Sequence, residues 1–207
     1  MSSVIRSLEV SDLPSIVLVH CAAFAGSGLT LLGAEAVRRY YLWQLTGPHD
    51  ALALGAFRND QLGGFCFGGL FRGAMTGFLR RNRMYLAARL LTRPWLMGNP
   101  IVRDRVRQAG LLLGSRPRPT SVAASHATTL SFGILSIAVD PTHRQHGIGR
   151  QLMQEMERHA RARGFTRMNL SVEPANTGAV RFYERLGWAK VPAGEGWDGT
   201  MIRTLAS

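Results

Sequence analysis

The order of apolar and polar positions predicts strands and helices that alternate along the first 70 residues. The run SVIRSLEV predicts a strand, and Asp12 and Pro14 are typical of the start of a helix that continues to about Phe24. The run GAEAVRRYYLWQL, with Ala36 and Tyr40 at helical spacing, predicts a second helix. The runs ALALGAF and QLGGFCFGGL, joined by RNDQ, predict a β-hairpin. We therefore expect the order strand, helix, helix, strand, strand.

Residues 72–130 contain two further helical runs, MTGFLRRNRMYLAARLL and IVRDRVRQAGLLLG, separated by the proline- and glycine-containing stretch PWLMGNP. Four apolar residues of the second run fall within about 60° of one another on a helical wheel: Val102, Val106, Ala109 and Leu113. We expect this face to pack on the rest of the protein. The stretch GSRPRPTSVAASHATT that follows has the composition of a loop.

The C-terminal part of the chain has the sharpest pattern. LSFGILSIAV predicts a buried strand, and the apolar stripe from Ile148 to Met156 predicts a helix that continues to about Arg163 and ends at Gly164. FTRMNLSV then predicts a strand, NTGAVRFYERLG a short helix, and WAKV and TMIRTLA two closing strands.

The turn VDPTHRQHGIGRQL lies between a predicted strand and a predicted helix and could hold an anion. Backbone N–H groups at a helix start and the helix dipole attract negative charge, and Arg144 and Arg150 add full charges. A P-loop is excluded because no Gly-Lys-Ser or Gly-Lys-Thr follows. A dinucleotide fingerprint is excluded because Gly147 and Gly149 lack a third glycine. An anion site and a plain tight turn both remain open from this stretch alone.

The charge is concentrated in one segment. The net charge of +12 comes from 24 arginines and one lysine against 13 acids, and Arg72 to Arg118 contain eleven of these arginines and one acid. Three roles remain open for this segment: a lid that meets an anionic acceptor such as a nucleotide- or lipid-linked sugar, a solvated scaffold or oligomer contact, and attachment to an anionic membrane or nucleic acid.

The remaining composition indicates a globular cytoplasmic protein. No apolar run approaches the roughly 18 residues that span a bilayer, and the first ten residues lack the basic-then-apolar layout of a secretory signal. Cys21 and Cys66 stand in apolar surroundings, so we expect two reduced thiols rather than a disulfide.

Two spaced motifs give the C-terminal part a family resemblance. Arg144-Gln145-His146-Gly147-Ile148-Gly149 follows the strand LSIAV, and an N-x-x-A-x-x-F-Y pattern runs from Asn176 to Tyr183 before ERLGW. Residues 132–190 resemble the GNAT superfamily of N-acetyltransferases, and residues 4–70 agree with its element order. The resemblance implies an α/β (α+β) fold with a central mixed, mostly antiparallel sheet flanked by helices. Residues 1–207 would form one domain, with 72–130 as a helical insertion between the third and fourth strands.

The resemblance also implies acetyl-CoA as the acyl donor. The strand would pair with the pantetheine arm, and the turn would bind the pyrophosphate. The implied acetyl-CoA-binding residues are Ile137, Ala138, Val139, Arg144, Gln145, His146, Gly147, Ile148, Gly149, Arg150, Asn176 and Tyr183. Asn176 could equally cap its own helix. No metal is expected, because His143 and His146 have no third ligand nearby in the sequence.

The reaction implied is direct attack of an amine on the thioester. Tyr183 stands where the family places a tyrosine that protonates the leaving thiolate. The proton acceptor for the amine is not determined by the sequence: Ser136 on the strand, His126, His20 and Glu173 are all candidates. We take Tyr183 and Ser136 as the predicted catalytic residues.

The acceptor is expected to be a small-molecule amine, for example an amino sugar, because the layout is similar to bacterial acetyltransferases of surface-polysaccharide gene clusters. Its candidate lining residues are Phe24, Leu29, Leu32 and Tyr40. A protein or peptide amine is the alternative, and an acyl-CoA-binding sensor or membrane-associated module without turnover is an alternative of another class. We expect no nucleic-acid partner and a monomer or homodimer, and a peripheral contact with an anionic membrane stays open.

Overall fold

A seven-stranded sheet forms the centre of the protein. The computed structural model describes residues 3–71, 73–114, 131–144, 146–194 and 196–205. The strands are β1 (Val4–Ser7), β2 (Asp50–Arg58), β3 (Gln61–Leu70), β4 (Phe132–Val139), β5 (Arg167–Ser171), β6 (Ala189–Lys190) and β7 (Thr200–Thr204). The helices are α1 (Leu13–Ala23), α2 (Gly28–Leu32), α3 (Ala34–Thr46), α4 (Ala74–Thr92), α5 (Pro100–Gly114), α6 (Ile148–Ala162) and α7 (Thr177–Arg185).

The strand order in the sheet is β1-β2-β3-β4-β5-β7-β6, and every neighbouring pair except β4–β5 is antiparallel. This confirms the predicted mixed, mostly antiparallel sheet. The predicted hairpin is β2–β3, whose turn residues Asn59 and Asp60 have φ values of 50° and 60°. Two successive positive φ angles are typical of a two-residue hairpin turn that matches the strand twist.

Helices cover both faces of the sheet and form two cores. On one face, α1 and α3 bury Ile16, Val37 and Tyr41 against β3. On the other face, α6 buries Leu152 and Met156 against β3 and β4, and Tyr183 of α7 belongs to the same core. The apolar stripes read from the sequence are therefore the buried faces of these helices, because that is where they are removed from water.

The helices α4 and α5 lie between β3 and β4, as the two helical runs predict. Val102 on α5 is buried, and Val106 and Ala109 are half-buried, so the predicted packing face of α5 is confirmed for these three residues. The side chain of Leu113 and the predicted loop after α5 lie outside the described residues. Within the described ranges, no helix has the length and apolarity needed to cross a membrane.

One helix is absent from the sequence prediction. The stretch GSGL, which lies between the two helices predicted in this part of the sequence, indicates a break, but residues Gly28–Leu32 form α2, and the Ser27 side chain accepts a hydrogen bond from the Thr30 N–H at 3.2 Å. A serine at this position satisfies one of the free N–H groups of the first turn. The break therefore contains a capped helix of its own.

Candidate active site

A gap opens in the sheet where β4 and β5 separate. The two strands pair in parallel only from Phe132 to Ile134, whereas β4 continues to Val139 and stays paired with β3 on its other side. Within the part of the chain that the structure describes, no strand pairs with the β5 side of β4 beyond Ile134. The second half of β4 therefore presents N–H and C=O groups to the gap, and such groups seek hydrogen-bond partners.

A β-bulge in β4 lies at the start of this gap. Phe67 of β3 pairs with Ser136 and Gly68 pairs with Ile134, so Leu135 is the extra residue on β4. Leu135 packs in the core under α1 and α3, and the Ser136 hydroxyl also contacts that side. A bulge re-aims side chains locally, and here it turns two successive residues toward the same face.

The turn after β4 is held by local hydrogen bonds. The Asp140 carboxylate accepts from the Thr142 hydroxyl at 2.6 Å and from the Thr142 N–H at 2.8 Å, and these bonds lower the pKa of Asp140. The Asp140 N–H donates to the Gly63 carbonyl of β3 at 2.9 Å. A side chain at Gly64 would lie 2.8 Å from the Ala138 carbonyl oxygen, so glycine there lets β3 approach β4 closely.

The helix α6 begins at the predicted anion-binding turn. Gly147 precedes it with φ of 73°, a left-handed conformation that glycine adopts without strain. Arg144, His146 and Arg150 are exposed around this helix start. The first N–H groups of a helix have no partner within the helix, so those of α6 are available to an anion, and Arg144 and Arg150 lie close to them along the chain. Gln145 lies outside the described residues.

The helix α7 packs closely on the start of α6. A Cβ atom at Gly149 would lie 3.3 Å from Cζ of Phe182 and 3.7 Å from Cγ2 of Val139. Glycine at position 149 therefore brings the end of β4, α6 and α7 together. The Asn176 side chain accepts from the Ala179 N–H at 3.1 Å, so Asn176 does cap α7; its side-chain amide NH2 group is the part left for a pantetheine contact.

Tyr183 lies in the core beneath the gap. Its ring packs at 5.2 Å from that of Phe182 and at 6.1 Å from that of Trp188, and it is 8% exposed. Burial raises its pKa, and the Cys66 thiol raises the pKa further. Cys66 pairs in register with Ile137 of β4. Tyr183 is therefore a protonated phenol next to the middle of the sheet, on the side of α6.

The candidate proton acceptors are distributed unevenly. Ser136 and His20 are joined through Tyr41: the Tyr41 hydroxyl lies 3.0 Å from the Ser136 hydroxyl and 2.9 Å from Nδ1 of His20. Glu173 is exposed on the loop after β5, and His126 lies outside the described residues. The sequence pattern did not indicate the link through Tyr41, because the residues stand on three separate elements.

The acceptor candidates are not equally placed. Tyr40 is 6% exposed and contacts Phe78 of α4 in the core, whereas Phe24, Leu29 and Leu32 are half-buried around α2. Arg89 of α4 contacts this region directly, because its Nε donates a hydrogen bond to the Leu32 carbonyl of α2 at 2.8 Å. The insertion therefore packs directly on the segment that carries these candidates.

The cysteines and histidines of the described segments form no metal site. Cys21 and Cys66 are free thiols, and burial raises the pKa of Cys66. Nδ1 of His146 lies 2.9 Å from the Arg144 carbonyl, and Nδ1 of His143 lies 3.0 Å from the Thr142 hydroxyl. Among the described residues, no three His, Cys, Asp or Glu side chains come together as a metal-binding group.

Sequence comparison finds a family model and relatives that each match part of the chain. The sequence model of the acetyltransferase (GNAT) family matches residues 110–188. A mycothiol acetyltransferase of Thermobispora bispora is 34% identical over 97 residues, which are 47% of this chain and 32% of that protein. A ribosomal protein bS18-alanine N-acetyltransferase of Escherichia coli is 33% identical over 93 residues, 42% of this chain and 60% of that protein. The chain thus spans about a third or less of the mycothiol acetyltransferases that it matches.

Solved structures share the fold over the whole chain. The ribosomal-protein-S18-alanine N-acetyltransferase from Escherichia coli matches with a TM-score of 0.57 at 17% identity, covering 99% of this chain and 95% of that chain. The PaiA N-acetyltransferase from Thermoplasma acidophilum, in complex with coenzyme A, matches with a TM-score of 0.56 at 16% identity, covering 99% of both chains. At sequence identities of 17% and 16%, these two matches show a similar fold and nothing further.

Proposed function

Because the chain belongs to the GNAT superfamily of acetyltransferases, we propose that it transfers an acetyl group from acetyl-CoA to an amine of a small molecule. The observation that carries this proposal is the gap beside the second half of β4, which lies next to the start of α6. Binding of acetyl-CoA requires both features side by side, because its extended pantetheine arm would pair with the free edge of β4 and its pyrophosphate would bind at the start of α6.

The gap supports binding of the pantetheine arm of coenzyme A. The backbone of Ile137, Ala138 and Val139 can bond to the amides of the arm as it would to an added strand. The N–H groups at the start of α6 would donate hydrogen bonds to the pyrophosphate, with Arg144 and Arg150 as counter-charges. This arrangement requires no particular side chain along β4, in agreement with its apolar sequence.

The same site supports acyl transfer by direct attack. When the amine attacks the thioester carbonyl, the resulting oxyanion would be stabilised by N–H groups at the free edge of β4. The C–S bond then breaks, and the leaving thiolate takes a proton. Tyr183 holds its proton because it is buried in the core that α6 covers, and we assign to it the proton that the leaving thiolate takes.

The acceptor is proposed to be small because the candidate acceptor segment is covered. The insertion helices α4 and α5 both pack on α2, and Arg89 bonds to Leu32 there. We propose that these helices belong to one domain with the sheet and form a wall of the acceptor pocket. An amino sugar remains our specific candidate. A peptide α-amine is the second candidate, because relatives named for ribosomal-protein alanine share both sequence and fold with this chain.

The test is release of coenzyme A thiol from acetyl-CoA in the presence of separate amines: glucosamine, spermidine, free amino acids and a peptide with an N-terminal alanine. Thiol release that depends on glucosamine or another small amine is the expected result, with the acetylated product identified by mass spectrometry. Thiol release with the peptide alone would contradict a small-molecule acceptor and support a protein or peptide amine. Binding of acetyl-CoA without release in any mixture would support the sensor and contradict the enzyme.

A further inference from the structure

A chain of hydrogen bonds leads from β4 into the helices of the opposite face. The Ser136 hydroxyl lies 3.0 Å from the Tyr41 hydroxyl, which lies 2.9 Å from Nδ1 of His20. Nε2 of His20 lies 3.4 Å from the Ser27 hydroxyl, and Ser27 donates to the Thr30 hydroxyl at 3.0 Å. Four elements thus contribute to one chain: β4, α3, α1 and the start of α2.

One choice of direction satisfies every bond of this chain. Because Ser27 donates its proton to Thr30, the longer contact with His20 requires Nε2–H of the imidazole as its donor. Nδ1 of His20 is then free to accept from the Tyr41 hydroxyl. The Tyr41 oxygen accepts in turn from Ser136, so that the lone pairs of the Ser136 oxygen remain available to a further donor.

The protonation states agree with this direction. Burial lowers the pKa of His20 from its usual 6.5 to about 4, so the imidazole is neutral at pH 7 and can accept. Burial raises the pKa of Tyr41 well above its usual value, so the phenol keeps its proton and can donate. Besides His20, the titratable groups that face Tyr41 are Tyr40, Cys21 and Cys66, and burial accounts for the lowered pKa of His20.

The outer end of the chain lies at the proposed site of reaction. The bulge at Leu135 turns Ser136 toward α3, while the next residue, Ile137, begins the segment proposed to bind pantetheine. Ser136 is therefore at the boundary between the proposed donor side and the helices α1 to α3, which carry the acceptor candidates.

We propose that Ser136 accepts the proton of the attacking amine and that Tyr41 and His20 carry this proton inward. The inference rests on the proposed acetyl transfer. As the N–C bond forms, the amine proton passes to the Ser136 oxygen, the Ser136 proton to Tyr41, and the Tyr41 proton to Nδ1 of His20. The C–S bond breaks and the thiolate takes a proton from Tyr183. After the product leaves, the proton passes back from Nδ1 of His20 through Tyr41 and Ser136 to solvent, which restores the neutral Nε2–H tautomer, and Tyr183 is reprotonated from solvent.

In this assignment Ser136 touches the substrate, whereas Tyr41 and His20 are positioning residues that act through it. A buried imidazole that resists protonation holds the proton only briefly, which suits a carrier that must be neutral again before the next turnover. Among the described residues, no carboxylate is hydrogen-bonded to Ser136. The chain of Ser136, Tyr41 and His20 takes the role that a single carboxylate base would have.

The kinetic test compares Ser136→Ala, Tyr41→Phe and His20→Asn with the amine that gives the fastest thiol release in the panel above. Each variant is expected to lower kcat by about 10²-fold, the lower end for lost acid–base catalysis, with the KM for acetyl-CoA unchanged. Ser136→Thr keeps a hydroxyl and should retain most of the activity. Tyr85→Phe is the matched control, because among the described residues the buried Tyr85 hydroxyl has no hydrogen-bond partner.

The results separate the relay from a structural role. Wild-type kcat in His20→Asn would overturn the passage of the proton to His20, and wild-type kcat in Ser136→Ala would overturn the whole assignment. If Tyr85→Phe lowers kcat as much as Tyr41→Phe does, the loss in Tyr41→Phe reflects altered packing and not proton transfer. In Tyr41→Phe and His20→Asn, we expect the solvent isotope effect on kcat to rise or the pH–rate profile to shift relative to the wild type. A purely structural role of these residues would change neither.

A second measurement does not depend on turnover. ¹⁵N NMR of histidine-labelled wild-type protein should show His20 as the neutral Nε2–H tautomer at pH 7, with its signal assigned by its loss in His20→Asn. An Nδ1–H tautomer would reverse the chain and overturn the proposal. If no amine in the panel is acetylated, the proposed function fails as well; if acetylation occurs and the variants match the wild type, the relay alone fails.

Discussion

At the scale of single residues, the protonated state of Tyr183 supports its role as the acid. Burial raises its pKa, so the phenol carries a proton across the neutral pH range. Tyr183→Phe should therefore lower turnover at least about tenfold while leaving the affinity for acetyl-CoA almost unchanged, since the ring still fills its place against Trp188. Thiol-release kinetics and a binding titration check this. Turnover equal to the wild type would remove the role.

His20 also has a consequence for stability. Its pKa is lowered from 6.5 to about 4 in the folded protein, so between these values the unfolded chain binds a proton that the folded chain does not. The contribution of His20 to the free energy of unfolding is therefore complete above about pH 6.5 and is lost as the pH falls toward 4. Urea unfolding of the wild type and His20→Asn, at about pH 7.5 and about pH 5, measures it.

Acidification also removes the stabilising contribution of carboxylates whose pKa is lowered in the folded protein, such as Asp140. These carboxylates are present in both the wild type and His20→Asn, so their effect is the same in the two proteins. The wild type should therefore lose more stability on acidification than His20→Asn does. Equal losses in the two proteins would show that His20 is not protected from protonation in the folded state.

The sequence indicated most of these residues but not how they connect. Tyr183, Asn176 and the glycines of the turn stand in two short, spaced motifs, and Ser136 and His20 are two of the four candidate proton acceptors, of which Ser136 is the one taken as catalytic. The contact from Tyr41 to Ser136 spans 95 positions and that from His20 to Tyr41 spans 21. A hydrogen bond across such distances depends on how α1 and α3 pack on the sheet, which no local pattern reveals.

At the scale of elements, the start of α6 depends on Gly147. Its φ of 73° is unfavourable for a residue with a Cβ, by about 1 kcal/mol. Gly147→Ala should lower the free energy of unfolding by about this amount and also weaken coenzyme A binding, because the N–H groups of α6 lose their alignment. Chemical unfolding and calorimetric titration with coenzyme A measure the two effects.

Gly164 provides the control at the other end of the same helix. It has φ of 78°, and no atom lies within 4 Å of a Cβ built there, as at Gly147. Gly164→Ala should therefore cost similar stability but leave coenzyme A affinity unchanged. Equal affinities in the two variants would contradict the placement of the pyrophosphate at the start of α6.

The elements themselves were predictable where they are long and periodic. The hairpin and the helices α1, α3, α6 and α7 follow the apolar pattern because they bury one face in the cores on the sheet, whereas α4 and α5 pack on other helices. The five residues of α2 are too few to show a period. The gap beside β4 was also outside the reach of the pattern, because an apolar strand has the same sequence whether its neighbour follows it to the end or diverges.

At the scale of the whole molecule, the insertion should unfold together with the sheet. Nε1 of Trp43 on α3 donates to the Ala74 carbonyl of α4 at 2.7 Å, and Phe78 of α4 is buried against Tyr40. Heating should therefore give a single calorimetric transition whose midpoint matches the loss of near-ultraviolet circular dichroism. An earlier separate transition, accompanied by exchange of the α4 amides, would make residues 72–130 an independent unit.

The most direct test of the account is amide hydrogen exchange with and without coenzyme A. We predict slower exchange in Ile137–Val139 and at the start of α6, where the arm and the pyrophosphate would bind, and no change in the hairpin turn at Asn59 and Asp60. Binding of coenzyme A with protection elsewhere and unchanged exchange in both of these segments would contradict the proposed site.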